Sequence, residues 1–460
     1  MKKSLLAIAA MTAFAGAAQA QSSVTLYGTL DIGVGGQTNG AAINNNYVGG
    51  MSPTSSPAIV APGTGQAGAA TTPYRGNTVG VIAGGQSANA LGFMGSEDIG
   101  GGNKVIFKLE QGFNLASGAL GQSGLNGTAT TAIGGFANNT VGDTSSAGQL
   151  FSRAAWLGIK TSMGTITAGR QNSVLLDQVG KYDPVAAQLF SPISFSGNYG
   201  GGAQTDMARL NNSIKFANTY GGYNVSALVA SGGYAGTATG GSTAQFSTGY
   251  DNNLFGIQAS ATHSNDATSM VAGLGGNSVN VQYMNTTAFM LTGLLKATDK
   301  LTLKAGYENW VLSPASNYAY DAGLTNIYNY TANNIGEVIA PKRVNTFWIG
   351  ANYQLTPVIK TSVGGYRVVV PQYNAVTASL ASIATPVSIP GAATSQYSGT
   401  YSGGAQNYLS TMVEYSLSKR TNLYAAYAYT ADTGNQVGGS HLSVGSPVIN
   451  TWGMGMRHTF

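Results

Sequence analysis

Three histidines, His263, His441 and His458, and no cysteine are all that 460 residues offer for nucleophilic or metal chemistry. A hydrolase needs a serine held beside a histidine that an acid or amide orients. His263 and His441 fall in loop-like sequence, and His458 shares a strand face with Met456 and Phe460, where an interfacial role is the plainer reading. No histidine pair stands at metal-ligand spacing, and no cysteine completes a zinc set. The stretch GTGQAG (Gly63–Gly68) matches G-x-G-x-x-G, but it sits in Pro- and Thr-rich sequence without the strand-to-helix context of a dinucleotide site. No catalytic residue, metal or cofactor is expected. The chemistry left is charge facing water: Lys108, Glu110, Lys304 and Lys215 stand on the polar faces of otherwise apolar alternating segments.

Those segments dominate the chain. In SSVTLYGTLDIG, Val24, Leu26, Leu30 and Ile32 take one face, and Thr25, Tyr27, Thr29 and Asp31 the other. NKVIFKLEQGF, KLTLKAGYENW, NLYAAYAY and TWGMGMRHTF repeat the pattern, which is the period of a strand with unlike faces. Such segments start near Ser23, Asn89, Asn103, Phe151, Thr165, Asn212, Tyr223, Ala244, Leu254, Asn285, Leu301, Arg343, Val358, Gln406, Asn422 and Pro447, which makes about sixteen strands. Their connections alternate between short (TSMG, ATDK, LSKRT) and long, the long ones near 36–88, 115–150, 172–211, 232–243, 264–284, 313–342, 371–405 and 431–446. Strict alternation with strands of about nine to twelve residues fits a closed up-and-down barrel in a membrane, apolar face to lipid and polar face to water. Charged residues are only 8%, against about 25% in soluble proteins, and mean hydropathy is +0.03. Trp156, Trp310, Trp348 and Trp452 are expected in the interfacial girdles.

Residues 1–20, MKKSLLAIAAMTAFAGAAQA, read as a cleaved signal peptide: a basic start, a short apolar run and Ala18-Gln19-Ala20 as the cleavage site. The expected mature chain is one barrel domain, 21–460. Without Lys2 and Lys3, 19 bases face 16 acids, a net charge of +3. That is too small and too dispersed for a nucleic-acid partner.

The segments SSVTLYGTLDIGVG, GFMGSEDIGGGNKVIFKLEQGFNLASG, FSRAAWLGIKTSMGTITAGRQN, NNSIKFANTYGGYNVSALVASGG, EYSLSKRTNLYAAYAYT and GMGMRHTF span the mature chain, and together they resemble the general diffusion porins of Gram-negative outer membranes, beta-proteobacterial type. The resemblance implies a homotrimer of sixteen-stranded antiparallel barrels in the outer membrane. It also implies a third loop folded into the lumen, with acids facing a basic wall. That loop is Asn172 to Asn211 here, with Asp177, Asp183 and Asp206. Arg153 and Arg170 match the family's basic wall. Phe460 matches the final phenylalanine read by the outer-membrane assembly machinery. The lysine of the family's GFKG is Met94 here, which leaves the ion preference open.

Opposed charges across a constriction set a transverse field that orders water and biases ions. The candidate bases are Lys108, Arg153, Arg170, Lys215, Lys304, Arg343 and Arg367; the candidate acids are Glu110, Asp177, Asp183 and Asp206. Each can equally be a solvated wall residue or a stabilising ion pair. Parity turns Lys108, Glu110, Lys215 and Lys304 inward. It does not turn Arg170, which shares its face with Ile166 and Ala168, or Arg153, which shares its face with Leu157 and Ile159. A bulge or a place above the lipid band would resolve both. The function implied is passive passage of small hydrophilic solutes and ions; the alternatives are a sugar- or anion-selective channel and a surface adhesin.

Overall fold

Wherever the sequence alternates, the chain is extended and paired. The structure, a computed structural model, describes residues 23–41, 75–118, 150–186, 189–191, 209–232, 239–272, 278–313, 326–327, 330–337, 341–379, 395–401, 403–434 and 448–460. The expected signal peptide, Asp206 and His441 lie outside the described residues. The first elements are β1 (Ser23–Ala41), β2 (Arg75–Ala83), β3 (Ala90–Gly100), β4 (Asn103–Gly112), β5 (Ala154–Thr161) and β6 (Gly164–Asn172), followed by helix α1 (Val174–Tyr182). Next come β7 (Arg209–Tyr220), β8 (Tyr223–Ala230), β9 (Thr243–Asp251), β10 (Phe255–Ala272), β11 (Ser278–Lys296) and β12 (Leu301–Ser313). The chain continues through β13 (Asn326–Ile327), β14 (Tyr330–Glu337), β15 (Lys342–Gln354), β16 (Ile359–Val370), β17 (Tyr373–Ser379), β18 (Ser395–Tyr401), β19 (Gly404–Ser416), β20 (Thr421–Gly434) and β21 (Val448–Thr459).

Sixteen staves form the closed wall. Strand β1 pairs with β21 from Thr29↔Thr459 to Thr38↔Asn450, which leaves neither edge open. On its other side β1 pairs with β3 near the short turns and with β2 further up, so β2 and β3 are two halves of one stave. Between them, Gly84–Asn89 leaves the wall. The short pieces β13, β14, β17 and β18 fall within the long connections expected near 313–342 and 371–405. Among the described residues no helix is long and apolar enough to cross a membrane; the crossings are made by strands, whose backbone groups are paired between neighbours.

The outward face is the expected apolar one: Val24, Leu26, Ile32, Val34, Phe289, Leu291, Leu423, Met454 and Met456 are all exposed. The inward face departs from expectation. On β11 to β20 it carries Met290, Trp310, Val344, Trp348, Tyr366, Val368, Tyr408 and Met412, all buried. These join Leu175, Val179, Val185, Leu189 and Phe190 of the segment after β6 in a core inside the barrel. Trp310 and Trp348 are therefore not girdle residues. Trp156 also has inward parity, opposite Lys108 on β4. Trp452 keeps the outward face it shares with Met454.

Candidate channel constriction

The loop after β6 enters the lumen because its sequence makes a helix start and an apolar stripe. Ser173 caps α1 by accepting from Leu176 N at 3.0 Å. Val174, Leu175, Gln178, Val179 and Tyr182 form the buried side, while Asp177 and Lys181 point away from it. The buried side is fastened to the inner wall stave by stave. Val174 N donates to Gln245 Oε1 of β9 at 2.8 Å. Gln178 Nε2 donates to Gln258 O of β10 at 3.0 Å and to Thr292 Oγ1 of β11 at 2.8 Å. Trp348 Nε1 of β15 donates to Tyr182 O at 3.2 Å, and Lys304 Nζ of β12 donates to Asp183 O at 2.9 Å. Asn352 Nδ2 of β15 reaches Pro184 O at 2.6 Å. Further on, the loop meets the segment between β2 and β3, where Leu189 N donates to Gly85 O at 3.0 Å.

Asp183 stops the helix, its N–H bonded to Val179 O at 2.9 Å. Its carboxyl is buried and accepts from Tyr366 Oη at 2.6 Å, from Val185 N at 3.1 Å and from Ser191 Oγ. Burial pushes the Asp183 carboxyl up from its ordinary range, although these donors pull it back. The Tyr182 hydroxyl is likewise pushed up, first by burial and then by Asp251. Asp183 therefore pins the loop rather than facing water. Lys304 has the inward parity expected of it, but it serves the same pin.

The charged wall stands on β4 to β7. Glu110 is its hub: it accepts from Arg153 Nε at 2.6 Å and Tyr27 Oη at 2.7 Å, and pairs with Lys108 Nζ at 2.9 Å. Arg153 reaches inward because it precedes β5, its N–H bonded to Glu110 O at 3.0 Å. Arg170 is turned by a bulge. The β6–β7 register slips between Gly169 and Gln171, and Gly169 takes φ +131°, a value that favours glycine. Arg170 and Gln171 are then both buried, and Arg170 donates to Ser152 O at 2.6 Å and Asn211 Oδ1 at 2.7 Å. Lys215 pairs with Asp177 of α1. Lys108, Glu110, Arg153, Arg170, Lys215 and Asp177 thus lie in one neighbourhood; Lys181 of α1 instead pairs with Asp251 of β9.

Two of the candidate bases do not belong to it. Arg343 is exposed with outward parity, alongside Phe347 and Ile349. Arg367 is also outward and donates to Asn407 Oδ1 at 3.0 Å. Both sit towards the long-loop ends of β15 and β16. Sequence reasoning missed Arg209, which it counted inside the loop 172–211. It opens β7, is buried at 4% exposure, and has Arg153, Arg170, Glu110 and Asp177 as electrostatic neighbours. Its Nε and Nη1 have no hydrogen-bond partner among the described residues. A basic residue at the edge of an alternating segment was the only available signal.

A model of the Gram-negative porin family matches residues 7–435. An outer membrane porin protein of Bordetella pertussis is 31% identical over 188 residues, 41% of this chain and 38% of that protein, so the matched part spans well under half of the relative. The anion-selective porin from Comamonas acidovorans superposes with a TM-score of 0.58 at 17% identity, covering 96% of this chain and 100% of the other. A trimer form of OmpT from Vibrio cholerae gives 0.54 at 13% identity, covering 95% and 99%. The two structures share the fold. With the family model running along most of the chain over a closed sixteen-stranded barrel, this is an outer-membrane protein that belongs to the Gram-negative porin family.

Proposed function

We propose that the chain is a diffusion channel for small hydrophilic solutes and ions, with a preference for anions. The observation that carries this reading is the constriction itself: α1 lies inside the barrel against β8 to β12, and its Asp177 pairs with Lys215 beside Lys108, Arg153, Arg170 and Arg209. Among the described residues only Glu110 and Asp177 oppose them there. Five bases against two carboxylates around the passage, with Lys108, Arg153 and Lys215 less buried than Arg170 and Arg209, give a positive potential that favours anions over cations. The Comamonas acidovorans neighbour, itself an anion-selective porin, points the same way. A sugar- or anion-specific channel is the second reading, favoured by the number of bases. Nothing is turned over: with three histidines and no cysteine, we assign no catalytic residue and no cofactor.

The same reading includes removal of residues 1–20, a single barrel domain from 21 to 460, a homotrimer in outer-membrane lipid, and recognition of Phe460 by the assembly machinery. Planar-bilayer recording tests the function. Large ohmic steps, with a reversal potential in a potassium chloride gradient on the chloride side, are expected. Arg170→Ala should move that potential towards potassium. Block by one sugar or anion at low concentration favours the specific channel, and absence of conductance refutes both readings.

A further inference from the structure

The apolar alternation of the first hairpin is broken by GGQSAN, Gly84–Asn89, and the break faces one residue. Asp31 of β1 is fully buried on the inward face. Its Oδ2 accepts from Gln86 N at 2.8 Å and Ser87 N at 2.6 Å, and its Oδ1 accepts from Tyr424 Oη of β20 at 2.7 Å. Its backbone joins the same grip: Asp31 N donates to Asn89 Oδ1 at 2.5 Å, and Gly84 N donates to Asp31 O at 2.9 Å. Six residues that would otherwise continue the stave are thereby folded into the lumen. Gly85 lies so close to Tyr424 that a Cβ there would stand 2.2 Å from its hydroxyl.

That excursion is what the constriction loop leans on. Leu189 N of that loop donates to Gly85 O at 3.0 Å. Phe190 beside it packs on β21, where a Cβ on Gly453 would lie 2.9 Å from its ring and 2.7 Å from Ile82. Gln86 steadies the excursion from below, donating to Glu414 Oε2 at 2.6 Å and accepting from Asn422 Nδ2 at 2.7 Å. The loop is thus fixed at two points, at Asp183 by its own carboxyl and at Leu189 by way of another buried carboxylate about 160 residues earlier in sequence.

We propose that Asp31 is a positioning residue for the pore: through Gly84–Asn89 it holds Leu189 and Phe190 of the constriction loop against the barrel seam and so fixes the open cross-section. The consequence for conduction rests on the diffusion-channel reading; the mechanical part does not. Because β1, β20 and β21 all contribute to the seat, it exists only once β1 has paired with β21. Closing the barrel and setting its bore are then one event.

The chain has no cysteine, so single thiols can report the latch. Leu189→Cys places one at the latch, and Leu175→Cys places one at the start of α1, away from it; both parent side chains are buried. Folded barrels, checked by their heat-dependent gel mobility, are treated with a membrane-impermeant maleimide in parent, Asp31→Ala and Tyr424→Phe backgrounds. Losing hydrogen bonds to a buried carboxylate should speed labelling at position 189 by about tenfold, with position 175 unchanged. Tyr424→Phe, which removes one hydroxyl, serves if Asp31→Ala does not fold. Unchanged labelling at 189, or an equal rise at both positions, overturns the proposal. In bilayers the same variants should conduct more and flicker. If labelling rises while no variant or parent conducts, the latch stands and the channel reading falls.

Discussion

Replacing Asp183 by asparagine separates the charge of the loop's central pin from its hydrogen bonds. The amide keeps an oxygen for Tyr366 Oη and offers an N–H to Ser191, whose hydroxyl can turn to accept, so the variant should lose only about 1 kcal/mol. Asp183→Ala strands three donors, all on buried residues: Val185, Tyr366 and Ser191. At about 1–3 kcal/mol per stranded donor it should cost about 3 kcal/mol or more. The pH dependence carries the sharper test. Burial raises the Asp183 carboxyl in the folded state, so the folded chain holds that proton more tightly than the unfolded chain. Its contribution is therefore fully present below the ordinary aspartate range and is lost as pH rises through the folded value. Asp183→Asn has no such proton. Urea unfolding in lipid vesicles, followed by tryptophan emission to which Trp348 on Tyr182 O contributes, gives native minus variant stability at each pH. The difference should fall as pH rises from about 4 upward. A flat difference, or one that grows with pH, would refute the assignment of a buried, proton-holding pin.

Glu110→Gln removes one of the two carboxylates from the constriction and should shift the reversal potential further towards chloride. It should also weaken the fold by about 1 kcal/mol, because Lys108 and Arg153 remain partly solvated; a shift towards potassium would contradict the wall as drawn. Deleting Phe460 removes the bonds Gly28 N to Phe460 O at 3.0 Å and Phe460 N to Gly28 O at 3.1 Å from the seam. The yield of assembled barrel should drop while single-channel conductance of the assembled fraction stays at the native value. Normal membrane yield would count against the seam and against recognition of this residue.

Much of the wall was legible because period two is a local property. Strand starts expected at Ser23, Asn103, Tyr223 and Leu301 coincide with β1, β4, β8 and β12, and parity turned Lys108, Glu110, Lys215 and Lys304 inward. The failures were of two kinds: one place where the chain leaves that period, and others where the period holds but does not say what a face meets. Arg170 needed the bulge at Gly169. Arg343 and Arg367 lie near the strand ends, and their charge gave no indication of their face. Trp310 and Trp348 obey alternation, but they face a loop, and alternation alone does not say whether the inward side meets water or protein.

What the sequence determined by itself was therefore a closed, lipid-facing barrel with alternating long and short connections, because lipid forces apolar residues outward and pairs every backbone group in the wall. Only the tertiary structure decided the bore. The constriction depends on contacts between residues far apart in the chain: Asp183 with Tyr366, Leu189 with Gly85, Asp31 with Tyr424, Glu110 with Arg153. A buried carboxylate and a pore-lining one look alike in a sequence, and what separates Asp183 from Asp177 is whether the loop carries it to the wall or leaves it in water.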